Sequence, residues 1–516
     1  MRPAQKCFCR YEDRATGLQN SFYQVQPDDL VSKAARAVSE ALASGLQLEP
    51  EALKLLEDVS DRLDIIQLIQ EVARRKKETG STIISKKDVE DALPQGFEVR
   101  ADVHKAEWLD LKPEFEVVKD PTSHINPIEG VNGFHELFKS RFRKLLKIAK
   151  QRPDSHQLRP IKELGKGKKV AGLLLEKKMG RNRVELTIDD GTGSFKFSVL
   201  DDKLKRVVAE LLLDQLVILD VEPVKEESVI VKGIYQPDLP DRVVNTSKKR
   251  VYALLISDLH VGSKAFLLDA FRRLILWLNC RIGKEDEEIV HRLQYVVMAG
   301  DGVDGIGVYS GQESDLEVQD AYTQYKMLSE LLDQVPKRIK IFIIPGNHDP
   351  VRQALPQPAI PKRFAEPLYS LENLMVLGNP VNLRLHGVNV LVYHGRSLDD
   401  VIASTPGLTV TRPALAMKLL LKARHLAPIY GARTAISPEP EDHLVIEEEP
   451  DIFHSGHIHV LDLDRYKGTL IVNSGSWQGQ TQYQANMGVE PTPGIAPIVD
   501  LSTLEVVVRD FTKPIV

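Results

Sequence analysis

Cysteine is nearly absent, with three in 516 residues. Cys7 and Cys9 stand close together without further ligands beside them, too few for a zinc site, which takes about four. They read as ordinary reduced thiols, and no disulfide framework is expected. Long apolar runs are lacking too. No stretch approaches the roughly 18 apolar residues of a membrane span, and the start, MRPAQKCFCRYEDR, has no apolar segment of signal-peptide length. The expectation is an intracellular chain with no membrane partner. Nor does charge of one sign dominate: a net charge of -5 gives no global attraction to nucleic acid, so any such affinity must come from local basic patches. With 42% hydrophobic and 27% charged residues the chain is globular rather than disordered. Its length suits about three domains.

What is present falls into segments. Residues 1–27 show no pattern and stay unassigned. Residues 28–93 read as a small helical domain, because LVSKAARAVSEALASG and LDIIQLIQEVARRKK carry apolar residues at helical spacing and Ser85 with Asp88 offers a helix start. No chemistry is visible there, and a docking role is the expectation. Residues 94–160 read as a linker interrupted by ELFKSRFRKLLKIAKQR, a basic amphipathic helix that either packs or touches a phosphate backbone. Residues 161–245 hold five short β-branched runs with the helical KLKRVVAELLL between the third and fourth, the pattern of an OB-fold barrel. Lys177, Lys178, Arg181, Arg183 and Phe197 are its candidate contacts to a single strand of nucleic acid; the alternative is a barrel that only packs against another protein chain.

From 250 to 516 strand and helix alternate. RVYALLI, LQYVVMAG and RIKIFIIPG are buried-strand runs, KAFLLDAFRRLILWLN and VQDAYTQYKMLSELLDQV are helices, and the terminal runs IAPIVDLS and LEVVVRDF are expected to complete a sheet. The predicted class is a multidomain α/β (α+β) protein whose last domain is layered, with helices over a sheet.

In such folds ligands gather beyond the carboxyl ends of the strands. Five runs are followed there by residues of one chemical kind: Asp258 and His260 in ALLISDLHVGS, Asp301 in YVVMAGDGVDG, Asn347 and His348 in IFIIPGNHD, His394 in VNVLVYHGRS, and His457 and His459 in PDIFHSGHIHV. Singly, each has an ordinary reading: a lone histidine is often a satisfied buried side chain, SD caps helices and GN turns chains. Capping, however, has no use for histidine, so the recurrence points to metal. A set of O and N donors this large suits two divalent ions. In DLH and HIH the first and third residues are expected to project the same way from extended backbone, so that each pair bites one centre. Asp301 is the candidate bridge between cations about 4 Å apart. Donors without thiolate suit borderline ions such as manganese, iron or zinc over calcium; manganese is the choice by analogy, with magnesium as a further alternative.

D-x-H, G-D, G-N-H-D, H-G and G-H-x-H in this order resemble the calcineurin-like metallophosphoesterases. The resemblance implies a β-sandwich flanked by helices over 250–516, one metal on Asp258, His260, Asp301 and His459, and a second on Asp301, Asn347, His394 and His457. It also implies that His348 is no ligand but faces the scissile phosphate, and Asp349 is expected to orient its ring.

The flanking stretches GDGVDGIGVYSGQESDLEVQDAYTQY, PGNHDPVRQALPQPAIP, YHGRSLDDVIASTPGL and VNSGSWQGQTQYQ resemble the small subunits of archaeal family D DNA polymerases over about residues 165–516. This implies a 3′ to 5′ proofreading exonuclease in the archaeal cytosol, associated with the nucleoid. Its partners would be a large catalytic subunit, in a heterodimer or heterotetramer, and DNA with single-stranded or mismatched 3′ ends. The alternatives are a non-catalytic assembly subunit and a stand-alone phosphatase or phosphodiesterase. Arg352 and Arg396 are further candidate DNA contacts; for Arg396 an ion pair with Asp399 or Asp400 is the competing reading. Trp477 either stacks on a base or packs.

Overall fold

The computed structural model describes residues 40–42, 45–49, 52, 53, 55, 56, 63–79, 82–94, 111–164, 168–180, 183–225, 228–486 and 488–515. Cys7, Cys9 and Arg181 lie outside them. The chain forms two compact units, residues 1–107 and 108–516.

In the first unit the helices Ile65–Thr79 and Lys86–Ala92 bring Ile69, Val72 and Val89 together with Leu55, Leu56 and Ile84 in a small core. Asp88 accepts a hydrogen bond from the Ser85 backbone N–H at 2.7 Å, closing the start of the second helix as the sequence predicts. Gln47–Leu48 and Ile83–Ile84 pair in parallel.

The second unit opens with strand β1 (Phe115–Lys119) and helix α1 (Val131–Ala149). Both fall in the segment read as linker. The helix is predicted; the strand is not, because its five residues carry little alternation and its partner lies far along the chain. The apolar side of α1, Phe138, Phe142, Leu145 and Ala149, packs on Ala171, Leu173, Leu216 and Ile218 of the barrel, with Val445 of the last domain beside them. Its role is therefore packing, and one of its basic residues, Arg141, is fully buried.

The barrel comprises β2 (Lys169–Met179), β3 (Val184–Asp189), β4 (Ser194–Val199), β5 (Leu216–Lys225) and β6 (Ser228–Tyr235). Its order, β2-β3-β4-β6-β5, closes through β2–β5 pairing, which removes exposed edges. Helix α2 (Asp202–Glu210), capped by the Asp201 side chain, bridges β4 and β5. Phe197 is buried among Leu186, Ile188 and Val199 in the barrel core, so it offers no stacking face. The Lys177 ammonium donates to the carbonyls of Ala209 (3.1 Å) and Leu211 (2.6 Å) at the end of α2, where free carbonyls attract a cation, and is not available to a strand. Arg183 pairs with Glu185 at 2.7 Å and Lys178 with Glu176 at 3.0 Å.

The remaining chain runs β7 (Tyr252–Ile256), α3 (Leu268–Leu278), β8 (Leu293–Met298), α4 (Ala321–Leu332), β9 (Lys340–Ile343), α5 (Lys362–Tyr369), β10 (Leu374–Val376), β11 (Val381–Leu385), β12 (Val388–Val392), α6 (Leu398–Ser404), α7 (Pro413–Ala423), β13 (Ile452–Ser455), β14 (Leu461–Tyr466), β15 (Thr469–Ser474), β16 (Ile495–Asp500) and β17 (Val506–Asp510). Two six-stranded sheets result, ordered β10-β9-β8-β7-β16-β17 and β14-β15-β13-β12-β11-β1. The terminal strands complete the first sheet. β1 pairs antiparallel with β11 at the edge of the second.

Alternate residues of the central strands divide between two cores. Ala253, Leu255, Val297 and Phe342 meet Val390, Val392, Ile452 and Val472 between the sheets. Leu254, Ile256, Val296, Met298 and Ile343 face Phe271, Leu274 and Leu328 on helices α3 and α4. With both faces covered, these strands are apolar throughout rather than alternating, and each such side chain contributes about 1.5–3 kcal/mol of burial. No described helix is long and apolar enough to cross a membrane.

Candidate metal centre

The donors emerge just beyond the carboxyl ends of β7, β8, β9, β12 and β13, where the parallel strands point the chain toward one end of the sandwich. The backbone there is not extended. Asp258, His260, Asp301, His457 and His459 all have positive φ, between 50° and 70°. Left-handed backbone is costly for residues with a Cβ, and its concentration here marks a place where the surroundings over-determine the chain. The alternation expected for HIH therefore fails. His459 joins Asp258 and His260, whereas His457 joins Asp301 and His394.

In the first group His260 Nε2 lies 3.1 Å from His459 Nε2, and His459 Nε2 lies 3.4 Å from Asp258 Oδ1. In the second, His394 Nε2 lies 3.0 Å from Asn347 Oδ1 and 3.3 Å from Asp301 Oδ2. That same Asp301 oxygen is 3.9 Å from His260 Nε2, so it stands between the groups.

The residues fit a pair of cations on their own chemistry. Two imidazole nitrogens face each other, and the buried Asp258 Oδ1 has no hydrogen-bond partner among the described residues. Lone pairs converging in a buried space call for positive charge. Three of these histidines also have a ring nitrogen engaged by an acceptor: His260 Nδ1 by Asp304 (2.8 Å), His394 Nδ1 by the Ala299 carbonyl (2.8 Å) and His457 Nε2 by Asp399 (3.1 Å), whereas the Gln484 amide nitrogen, whose oxygen accepts the Thr481 N–H, donates to His459 Nδ1 (2.7 Å). Such outer contacts orient metal ligands. Glycine permits the close approach: a Cβ on Gly346 would lie 2.2 Å from Asp301 Oδ1 and 2.7 Å from His394 Nε2. Gly346→Ala is accordingly expected to lose about 1–3 kcal/mol of stability, as read by urea unfolding.

Asp304 and Asp399 escape the sequence reading as site residues. Their signals are GDGVDG, with a second carboxylate three residues after Asp301, and HGRSLDD, with one five residues after His394. Asp349 has a different task from the one expected. Its Oδ2 accepts the backbone N–H groups of Asp301 (3.0 Å) and Gly346 (2.7 Å) and its Oδ1 the Tyr325 hydroxyl, so it ties two donor loops together. His348 is held instead by the Asp304 carbonyl, which accepts from Nδ1 at 2.8 Å.

Charge coupling in the cluster is strong. Burial by itself would depress the His394 imidazole, but the Asp301 carboxylate, together with the Asp258 charge and the Ala299 carbonyl, outweighs it and holds the group up at about 9. Burial, aided by the Asp301 charge, keeps the Asp349 carboxyl up at about 6 against its hydrogen-bond donors. Burial depresses His260, and His348 adds to the effect.

The donors open into a cleft of about 540 Å³ that His348, Tyr309, Arg396, Arg433 and Gln478 also line. Arg396 thus reaches the site, and no ion pair joins it to Asp399 or Asp400 among the described residues. Arg352 does not line the cleft; its guanidinium pairs with the buried Glu439 at 2.7 Å and donates to the Pro356 carbonyl. Trp477 is buried edge-on against Phe271, with ring centroids 5.1 Å apart, so it packs.

Stacked sheets with outer helices and a histidine-carboxylate-amide cluster at the strand ends are consistent with the metallophosphoesterase superfamily. The family model for the B subunits of DNA polymerases alpha and epsilon matches residues 253–459. The DNA polymerase II small subunit of Pyrococcus furiosus is 41% identical over 427 residues, covering 78% of this chain and 70% of that protein. The Archaeoglobus fulgidus protein of the same description is 37% identical over 479 residues, covering 89% and 95%. That of Methanothermobacter thermautotrophicus is 36% identical over 401 residues, covering 76% and 82%. The chain belongs to the family of archaeal DNA polymerase II (family D) small subunits.

Proposed function

We propose that this chain is the 3′ to 5′ exonuclease subunit of an archaeal replicative DNA polymerase. It would trim unpaired 3′ ends with two divalent cations, manganese being our choice, and assemble with a large catalytic subunit. The observation that carries this reading is the position of Asp301 Oδ2, 3.3 Å from His394 Nε2 and 3.9 Å from His260 Nε2, between two groups of ligand type.

Asp258, His260, Asp301 and His459 would hold one cation, and Asp301, Asn347, His394 and His457 the other. Such ions, when bound, supply Lewis-acid charge and a nucleophile at neutral pH. The protein's part is positioning and proton delivery. Asp304 and Asp399 fix the His260 and His457 rings, and Asp349 locks the loops carrying Asp301 and Asn347. His348, with Nδ1 engaged by the Asp304 carbonyl, keeps Nε2 for the cleft. From there a protonated ring donates to the departing 3′-oxygen. A frayed mismatch enters more readily than a paired end because less stacking must be broken.

The test uses the full chain with its large subunit and a 3′-labelled mismatched primer. Shortening that needs manganese and stops with chelator is expected; its absence overturns the nuclease reading in favour of an assembly role.

A further inference from the structure

Two arginines at the cleft are not accounted for by the donor cluster. Arg396 lies two residues beyond His394, and Arg433 lies on the connection between α7 and β13; both line the cleft that contains the donors. Among the described residues neither guanidinium comes within 4.0 Å of a carboxylate oxygen or donates a hydrogen bond. The nearby Asp399 is engaged by His457 at 3.1 Å.

The loop around Arg433 is fixed by its own hydrogen bonds. The buried Asp400 accepts the backbone N–H groups of Arg433 at 3.0 Å and Thr434 at 2.9 Å, tying that loop to the first turn of α6, which begins just after Arg396. Two segments distant in sequence thereby present a guanidinium each to one cleft. Planar, permanently charged forks without a protein carboxylate are matched by phosphate oxygens.

We propose that Arg396 and Arg433 form a phosphate clamp for the phosphate adjoining the scissile one, on the strand that remains after cleavage. The inference rests on the nuclease reading and deepens it: the cleft takes the end of a polynucleotide in preference to a lone diester, because a lone diester has no second phosphate to fill the clamp.

Binding is measured without hydrolysis, by fluorescence anisotropy of a 5′-labelled single-stranded oligodeoxynucleotide with the full chain in chelator. Arg396→Ala and Arg433→Ala are each expected to weaken binding by about 10–100-fold, the range for a hydrogen-bonded charge, and to reduce the salt slope by about 0.7. Arg433→Lys, which keeps charge but loses the fork, should fall between wild type and Arg433→Ala, and serves if the alanine variant does not fold. A neutral methylphosphonate at the penultimate phosphate should weaken wild type more than Arg433→Ala, which keeps Arg396 alone, and leave the Arg396→Ala/Arg433→Ala double variant unchanged. Equal weakening of wild type and the double variant by the methylphosphonate, or unaltered affinity in the arginine variants, overturns the clamp. An intact clamp with no manganese-dependent trimming would instead overturn the nuclease reading alone.

Discussion

Asp301→Asn is expected to reduce metal-dependent trimming of a mismatched 3′ end by roughly 10³-fold, the equivalent of about 4 kcal/mol of lost charge stabilisation. The residue is 1% exposed, its Oδ2 stands between His260 and His394, and its Oδ1 accepts the His348 backbone N–H at 2.8 Å. An amide of the same shape fills the space but bridges cations poorly. Calorimetric titration should show manganese affinity falling with activity; full activity at unchanged metal content would overturn the bridging role.

The same carboxylate governs pH behaviour. In the metal-free protein it holds His394 up at about 9, against an ordinary value of 6.5. A cation needs that nitrogen deprotonated, so manganese affinity is expected to rise by about tenfold per pH unit until pH passes that value, with proton release on binding. The sign for stability is opposite. Protonated His394 beside Asp301 stabilises the metal-free fold fully below 6.5, and this contribution disappears as pH climbs through about 9. In Asp301→Asn both dependences should move to lower pH, because burial then acts unopposed by that charge.

Asp442→Asn is the stability counterpart, with an expected loss of about 3–5 kcal/mol. Asp442 and Arg141 are both 0% exposed. Asp442 Oδ2 accepts from Arg141 Nε at 2.8 Å and His425 Nε2 at 2.9 Å, and Oδ1 from the Leu444 N–H at 2.9 Å. Arg141 also donates to the Pro428 carbonyl at 2.7 Å. The pair pins α1 to the chain after α7, while the apolar side of α1 carries the barrel. Neutralising one member leaves a guanidinium buried without compensation, whereas replacing both by leucine should recover most of the loss. Burial would raise the Asp442 carboxyl, but His425 and Arg141 hold it far below its ordinary 3.8. Its contribution is therefore complete above 3.8 and is lost as pH falls toward the folded-state value. Urea unfolding should show a lower midpoint at unchanged slope. A loss under about 1 kcal/mol would mean the pair behaves as an exposed one.

The donors were readable because their signal is local. An apolar run followed at once by aspartate, asparagine or histidine is visible in any stretch such as LQYVVMAGDG or RIKIFIIPGNH, and the central strands are apolar on both faces because helices cover one and a second sheet the other. The layout of the barrel was likewise carried by short runs and turns, with α2 between the third and fourth strands.

Residue type and strand-end position, then, come straight from the chain: which side chains gather, and that they suit cations. Tertiary packing decided the backbone that shares them out. It bent Asp258, His260, His457 and His459 into left-handed conformations, so that the two histidines of HIH go to different groups, as the family resemblance implied and alternation along a strand did not. It turned Asp349 away from His348 and onto the Asp301 and Gly346 amides. It engaged Lys177, Arg352 and Phe197 in the protein's own contacts, added β1 to a distant sheet edge, and brought Arg433 and Arg396 to one cleft. The physical reason is range. Hydropathy, capping and turn preference act over a few residues, whereas a buried polar atom takes whichever partner the fold brings within about 3 Å, and that partner is often hundreds of residues away.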